Sequence, residues 1–326
     1  MSQTPKICQI GFDVGGTGLK AALVHKGQIL TTLGAETPAS AAPQVAIQVM
    51  AELIQGLQAA ATEQGLQVSG VGMGIAGLID GPQGLVLTSP NLPQWQDVPL
   101  AELLSAQVHL PVCIDNDVRA MAMGEYVYGA GRGAQHMLCL TVGTGVGSAI
   151  LLNGQIYRGA SLSAGELGHM TVVPQGGRTC GCGNRGCLES VAGTEAILSL
   201  AQRVLSRGQA PVLAASISQQ QPLSPKLIAE AALAGDAGAL AVWAEVGQWL
   251  GLALAGVVNL LNPEKMVIGG GIAQAGELLL SPIRRAIDLH AFARPAACVE
   301  VLPAALGPEA GMIGAAVFVQ EKGSQT

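Results

Sequence analysis

The run Gly165-Glu166-Leu167-Gly168-His169 is followed, eleven residues after the histidine, by Cys180-Gly181-Cys182-Gly183-Asn184-Arg185-Gly186-Cys187-Leu188-Glu189. Three thiols and one imidazole make a tetrahedral Cys3His ligand set. Zinc suits it, because closed structural zinc sites take thiolates and a neutral imidazole without redox chemistry. A redox dithiol, or ordinary free cysteines, is the competing reading of Cys-x-Cys-x4-Cys. The upstream His169 and the glycine density favour the metal, held by His169, Cys180, Cys182 and Cys187. Gly181, Gly183 and Gly186 are expected to turn the backbone sharply enough for the sulfurs to converge. A closed site does no chemistry itself, so its work is positional. Glu166 and Glu189 flank it as free carboxylates, an arrangement suited to a polyhydroxylated ligand.

At 326 residues the chain exceeds a comfortable single core, so two lobes are expected. Hydrophobic residues make up 49%, which excludes disorder. Aromatics are only 3%, so Ala, Val, Leu and Ile must fill the core, and 45 glycines imply tight turns and close backbone approaches. A formal charge of −6 leaves no overall footprint for nucleic acid. The start, Met1 to Lys6, is polar and lacks a secretory signal, and the longest apolar run, Trp249 to Leu261, falls short of the ~20 residues of a membrane span. A cytoplasmic protein is expected. Cys8, Cys113, Cys139 and Cys298 sit in apolar surroundings as free thiols, in keeping with a reducing compartment.

Ile7 to Val14 reads as a buried strand, and Gly15-Gly16-Thr17-Gly18 turns the chain into a second strand through Val24 and then, at Lys26-Gly27-Gln28, into a third. A glycine loop of this kind lets amide N–H groups approach an anion, with Asp13 placed to hold Mg2+ and Lys20 nearby. Glycine turns between strands usually only connect strands, but here there is a second copy. At an offset of 127, Gly16 to Ile29 aligns with Gly143 to Ile156 with seven of fourteen positions identical, among them Gly16/Gly143, Thr17/Thr144, Gly18/Gly145 and Gly27/Gly154. A duplicated fold unit explains this better than composition. Neither a Walker P-loop nor a Rossmann fingerprint is present in the sequence.

Pro43 to Gly65 has Val45, Val49, Leu53 and Leu57 at helical spacing. Val71 to Ile79 reads as a glycine-rich strand, and the stretch after it as less regular. Ser89 to Trp95 is a proline-stiffened loop in which Asn91 is either a ligand contact or part of a mere connector. Val108 to Ile114 reads as a short strand, Asp115-Asn116-Asp117 as caps of a helix from Val118 to Tyr128. Gln209 to Pro225 looks like a connection between helices, Leu240 to Leu261 like a long apolar helix. Lys265 to Ile268 is a strand entering Gly269-Gly270-Gly271, and Gly307 to Val319 a closing helix.

Gly-Glu-Leu-Gly-His with Cys-Gly-Cys-Gly-Asn-Arg-Gly-Cys-Leu-Glu resembles the signature of the ROK family of sugar kinases, open reading frames and repressors. The duplicated strand–glycine loop–strand unit resembles the actin, Hsp70 and hexokinase superfamily. The resemblance implies an α/β, two-lobed actin-like ATPase or ribonuclease H-like fold, with duplicated βββαβα units and a nucleotide cleft between lobes. The lobes would be 1–117 plus 306–326, the smaller, and 118–305, the larger, with the zinc-binding loop. It further implies ATP-dependent phosphorylation of a hexose at its 6-hydroxyl, an early step of carbohydrate metabolism. Glucose is the first choice, and N-acetylmannosamine or fructose are the alternatives.

Asn116 and Asp117 match the family's Asn-Asp pair, which makes Asp117 the catalytic base. Asp115 stands where the family often has Glu. Asn91, Asn116, Glu166, His169 and Glu189 would contact the sugar. Gly15, Gly16, Thr17, Gly18 and Lys20, with Gly143, Thr144, Gly145 and Gly147, would hold the phosphates, Asp13 the Mg2+, and Gly269, Gly270 and Gly271 the adenosine. ATP or polyphosphate suits the loops as donor, and a homo-oligomer, a dimer or larger, is expected. A sugar-sensing repressor would need a DNA-binding segment before the first strand, and the first glycine loop begins already at Gly15. A chaperone-like ATPase leaves the zinc loop unexplained.

Overall fold

The structure, a computed structural model, describes residues 6–218 and 221–323. The polar start up to residue 5, and residues 219 and 220 of the expected connection, lie outside the described residues. The chain divides into two compact units. One comprises Met1–Gly133, Ile156–Ala164 and Ala305–Thr326, and the other Ala134–Gln155 and Gly165–Ala304.

In the first unit, β1 (Lys6–Val14), β2 (Gly18–His25) and β3 (Gln28–Glu36) form an antiparallel meander, and α1 (Pro43–Glu63) leads to β4 (Leu66–Ile75), parallel to β1. A small sheet of β5 (Leu78–Asp80), β6 (Leu85–Thr88) and β7 (Gln96–Val98), then α2 (Leu100–Val108), precede β8 (Val112–Asn116), which pairs with β4 in parallel. α3 (Asp117–Tyr128) starts directly at the end of β8. The main sheet runs β3-β2-β1-β4-β8.

Three sequence expectations shift here. The buried stripe of α1 is Ile47, Met50, Ile54 and Leu57, while Val45 is 48% exposed, because the bulkier set lies one residue round the helix. β4 starts earlier than expected and breaks after Ile75, where Gly77 takes φ +131°. α2 was not foreseen. Its last residue is Val108, left-handed His109 ends it, and β8 therefore begins only at Val112.

The second unit repeats the plan with β9 (Met137–Val142), β10 (Val146–Leu152) and β11 (Gln155–Ile156). Five helices follow, α4 (Glu189–Ala192), α5 (Thr194–Ser206), α6 (Pro211–Ser218), α7 (Pro225–Leu233) and α8 (Ala237–Leu261). The unit then continues through β12 (Lys265–Gly269), α9 (Glu277–His290), α10 (Ala293–Ala296) and β13 (Glu300–Pro303). Its sheet order, β11-β10-β9-β12-β13, matches the first strand for strand, with the last three strands parallel in both. The duplication extends to backbone angles. Lys26-Gly27 and Asn153-Gly154 both carry two successive positive φ values, 50° and 77° against 53° and 73°, as a two-residue hairpin turn that follows the strand twist requires.

Where the sequence suggested only a connection, α6 forms, because buried Asp236 accepts the Val212 and Leu213 amides at 2.8 and 3.0 Å while also capping α8. Among the described residues α8 is the one helix long and apolar enough to cross a membrane, longer than the Trp249–Leu261 run indicated. More than half of its apolar window is buried, around Trp243, Val246 and Leu250 in the core of this unit.

The last helix, α11 (Ala310–Gly323), belongs to the first unit. It lies backbone-to-backbone on the sheet. A Cβ at Gly11 or Gly72 would stand 1.8 and 1.7 Å from the carbonyl oxygens of Met312 and Ala315. Gly314 meets Ala120 of α3 equally closely, so the first unit continues past Asp117 to take in α3. Gly11 and Gly72 thus serve helix–sheet contact, and Gly314 a helix–helix one, rather than turns.

Candidate active site

In the first unit the glycine loop joins β1 to β2 and is closed by Gly15 N–H donating to Gly18 O at 3.1 Å. The Thr37 hydroxyl donates to Gly15 O at 2.7 Å and holds the loop from outside. Asp13, the last residue but one of β1, lies opposite Lys20 in the strand register. Burial pushes the Asp13 carboxyl above its ordinary value, and Lys20 opposes the shift. Asn91 lies on the loop, its amide 3.1 Å from where a Gly16 Cβ would be, while Leu92 and Trp95 anchor its turn in the core.

Asn116 and Asp117 stand where β8 becomes α3. Asn116 Oδ1 accepts the Val118 and Arg119 amides, so this residue is indeed a helix cap, and its Nδ2 donates to Gly77 O at 3.2 Å. The Asp117 carboxyl is raised, first by burial and further by the charge of Asp13, against the stabilising Val118 amide. Two mutually repelling carboxyls suit a site that receives a cation or a proton. Asp13 is the residue that would take Mg2+.

In the second unit the loop from Gly143 to Gly145 is closed by Gly143 N–H donating to Gly145 O at 2.9 Å, and both the amide and the hydroxyl of Thr194 donate to Gly143 O. Thr37 and Thr194 thus do the same work for the two loops, a parallel that no motif announced. Thr144 lies in the loop, whereas Gly147 is a strand residue of β10 paired with Thr141. Gly269 ends β12. Gly270, at φ +87°, packs so closely on Val142 that a Cβ would stand 2.4 Å from its carbonyl oxygen, and Gly271 faces open space.

The ligand atoms of His169, Cys180, Cys182 and Cys187 all lie within 4.8 Å of one another. Cys182 and Cys187 sulfurs are 3.7 Å apart, as are Cys180 Sγ and His169 Nδ1. A tetrahedron with Zn–S bonds of about 2.3 Å has edges of about 3.8 Å, so the donor set and its spacing fit zinc. Burial pushes Cys180 up to about 12 and raises Cys187, and a zinc ion would reverse that penalty by taking their thiolates. Gly183 and Gly186 carry the left-handed φ angles of the knuckle, and Gly186 packs against Val173 O. Gly181, contrary to expectation, has an ordinary φ and open surroundings, so it makes no turn that other residues could not.

With Nδ1 toward the cysteines, His169 turns Nε2 toward Glu166, 3.9 Å away. Glu189 Oε1 lies 3.6 Å from Cys180 Sγ, and its Oε2 accepts the Val146 amide at 3.0 Å. The second unit therefore gathers the metal knuckle, two acidic acceptors and one glycine loop. The first gathers a loop and the two raised carboxyls of Asp13 and Asp117.

The ROK family model matches residues 9–322. The chain belongs to the ROK family. It is 38% identical over 324 residues to a glucokinase of Halalkalibacterium halodurans, covering 97% of this chain and 98% of that one. Among solved structures it is similar to a ROK family glucokinase from Streptomyces griseus in complex with glucose and AMPPNP (TM-score 0.79, 35% identity, 96% and 99% of the two chains). It is also similar to a ROK family transcriptional regulator homologous to the E. coli Mlc protein (TM-score 0.87, 28% identity, 97% and 78%). The two-lobed actin-like fold expected from the motifs accords with these neighbours.

Two other carboxylates of this ROK chain have buried roles that the sequence did not reveal. Asp115, 1% exposed, accepts from Arg119 Nη1 at 3.0 Å through Oδ1 and from Arg158 Nε and Nη2 at 2.9 and 2.6 Å through Oδ2. Glu125, fully buried, accepts the amides of Ala130, Ala305 and Leu306. The i,i+4 spacing of Asp115 and Arg119 was visible in the chain. The partnership with Arg158 was not.

Proposed function

We propose that this protein is an ATP-dependent glucokinase that transfers the γ-phosphoryl group of ATP to the 6-hydroxyl of glucose. The observation that carries this reading is the placement of Asp117 beside Asn116 where β8 becomes α3, in a chain 38% identical to a glucokinase along nearly its whole length. The relative in complex with glucose and AMPPNP supports both substrates.

The sugar's O6 attacks the γ-phosphorus, the bond from that phosphorus to the β–γ bridging oxygen breaks, and ADP leaves. The O6 proton passes to Asp117. In a loose transition state this proton is lost late, so a carboxylate suffices as base and acts largely by orienting O6. The two glycine loops donate N–H groups to the phosphates. Mg2+, held by Asp13, would neutralise phosphate charge. Zinc on His169 and the three cysteines would stiffen the knuckle, leaving His169 Nε2, Glu166 and Glu189 to engage sugar hydroxyls together with Asn116. Asn91 and Lys20 are assigned supporting contacts, and Gly269 to Gly271 the nucleoside.

The similarity to a regulator favours a second reading, a sugar-responsive regulator. Higher identity to the glucokinase over a larger share of its length favours the enzyme. A cytoplasmic location follows from the use of ATP. Self-association is supported by exposed Leu260, Leu289 and Phe292, and light scattering tests it. The deciding experiment is coupled ADP release with glucose, mannose, fructose and N-acetylmannosamine, using ATP and then polyphosphate as donor. Turnover fastest with glucose and ATP is expected, and no turnover with any pair sinks the reading.

A further inference from the structure

The segment 156–164 is a strap that belongs to the first unit and runs directly into Gly165 and Glu166 of the second. Two arginines tie it down. Arg119 Nη2, buried, donates to Leu162 O at 2.6 Å and to Ala164 O at 3.4 Å, gripping the end of the strap. Arg158, near its start, donates twice to Asp115 Oδ2. The remaining oxygen of Asp115 accepts Arg119 Nη1 and, at 2.8 Å, the amide of Asn116, the residue immediately before Asp117. One carboxylate therefore joins the strap to the peptide that precedes the base.

We propose that Arg158 is a positioning residue for the reaction. By fixing Asp115 it sets the peptide at Asn116–Asp117, and it ties the strap to that peptide. The inference rests on the kinase reading for its kinetic consequence but not for its structural one. The physical reason is charge pairing out of water. Asp115 is buried and bound on four sides, and removal of Arg158 leaves Oδ2 without its two donors among these contacts. The carboxylate then has reason to rotate, and Asn116 N–H loses its acceptor. A small misplacement of a base costs turnover while leaving nucleotide binding alone.

The test compares wild type with Arg158→Ala, Arg158→Lys and Asp115→Asn by steady-state kinetics, thermal melting and hydrogen–deuterium exchange of peptides covering 112–120 and 156–164. Arg158→Lys, which keeps the charge but loses the fork, guards against an Arg158→Ala variant that fails to fold. Expected are a fall in kcat of about 10-fold or more and an ATP KM within about twofold of wild type. Exchange should be faster in both peptides, and added guanidinium ion should partly restore kcat in Arg158→Ala, since the Arg158 side chain is 30% exposed. A folded Arg158→Lys with wild-type kcat and unchanged exchange overturns the proposal. So does a loss that tracks melting temperature and affects ATP KM equally. A wild-type protein without turnover would sink the kinase reading alone, and the exchange measurement would still decide whether Arg158 holds Asn116–Asp117 in place.

Discussion

Glu189 Oε2 accepts the Val146 amide at 3.0 Å, so the carboxylate that follows the last cysteine of the metal knuckle rests on the second glycine loop. It fits there because Gly145 has no side chain. A Cβ at 145 would stand 2.3 Å from the same oxygen. Gly145→Ala should therefore displace Glu189 and mimic Glu189→Ala, raising the glucose KM by about 10- to 100-fold, the loss expected for a hydrogen bond to a charged group. Steady-state kinetics on both variants checks this, and a Gly145→Ala enzyme with wild-type glucose KM would disprove the link.

Metal removal tests the knuckle. Cys187 is fully buried, and without zinc its thiol must remain protonated in an apolar setting. Cys187→Ser, or chelation of the wild type, should abolish bound zinc, lower the melting temperature and weaken glucose binding more than ATP binding. Elemental analysis and isothermal titration read the outcome. Unchanged glucose affinity in a zinc-free sample would separate the knuckle from the sugar site.

Asp117→Asn should lower kcat by about 10²- to 10⁴-fold with glucose affinity retained. Stability should move the other way. Because the folded carboxyl is raised above its unfolded value of 3.8, ionising it costs more in the folded protein. That penalty is absent below the unfolded value and grows as pH rises through the folded one. Asp117→Asn should therefore be more stable than wild type at neutral pH and equal to it at pH values below 3.8. Denaturant titrations at the two pH values check the sign, and a neutral-pH loss of stability would contradict burial as the dominant cause.

Glu125 accepts three backbone amides from two distant stretches, at Ala130 and at Ala305–Leu306. Glu125→Gln keeps the shape but loses the charge and one acceptor oxygen, and should cost about 2–3 kcal/mol of stability. Urea unfolding measures it, with little change expected in the KM values of enzyme that remains folded.

Local chemistry in the chain was enough to bring out the Cys3His set, the helix start at Asn116-Asp117 and the doubled glycine loop. A metal set, a helix start and a hairpin turn are each written within a few consecutive residues. The repeated turn at Lys26-Gly27 and Asn153-Gly154 is legible for the same reason. Three-dimensional folding alone decided the full role of Asp115, since its second partner Arg158 is 43 residues away and an ion pair over that separation leaves no mark on spacing. It likewise decided that Glu125 meets Leu306 across 181 residues, and that Gly11 and Gly72 are bare because the backbone of α11 lies against them. Conformational preference and ligand type act through neighbouring bonds, whereas burial and charge pairing depend on which surfaces the packed chain brings together.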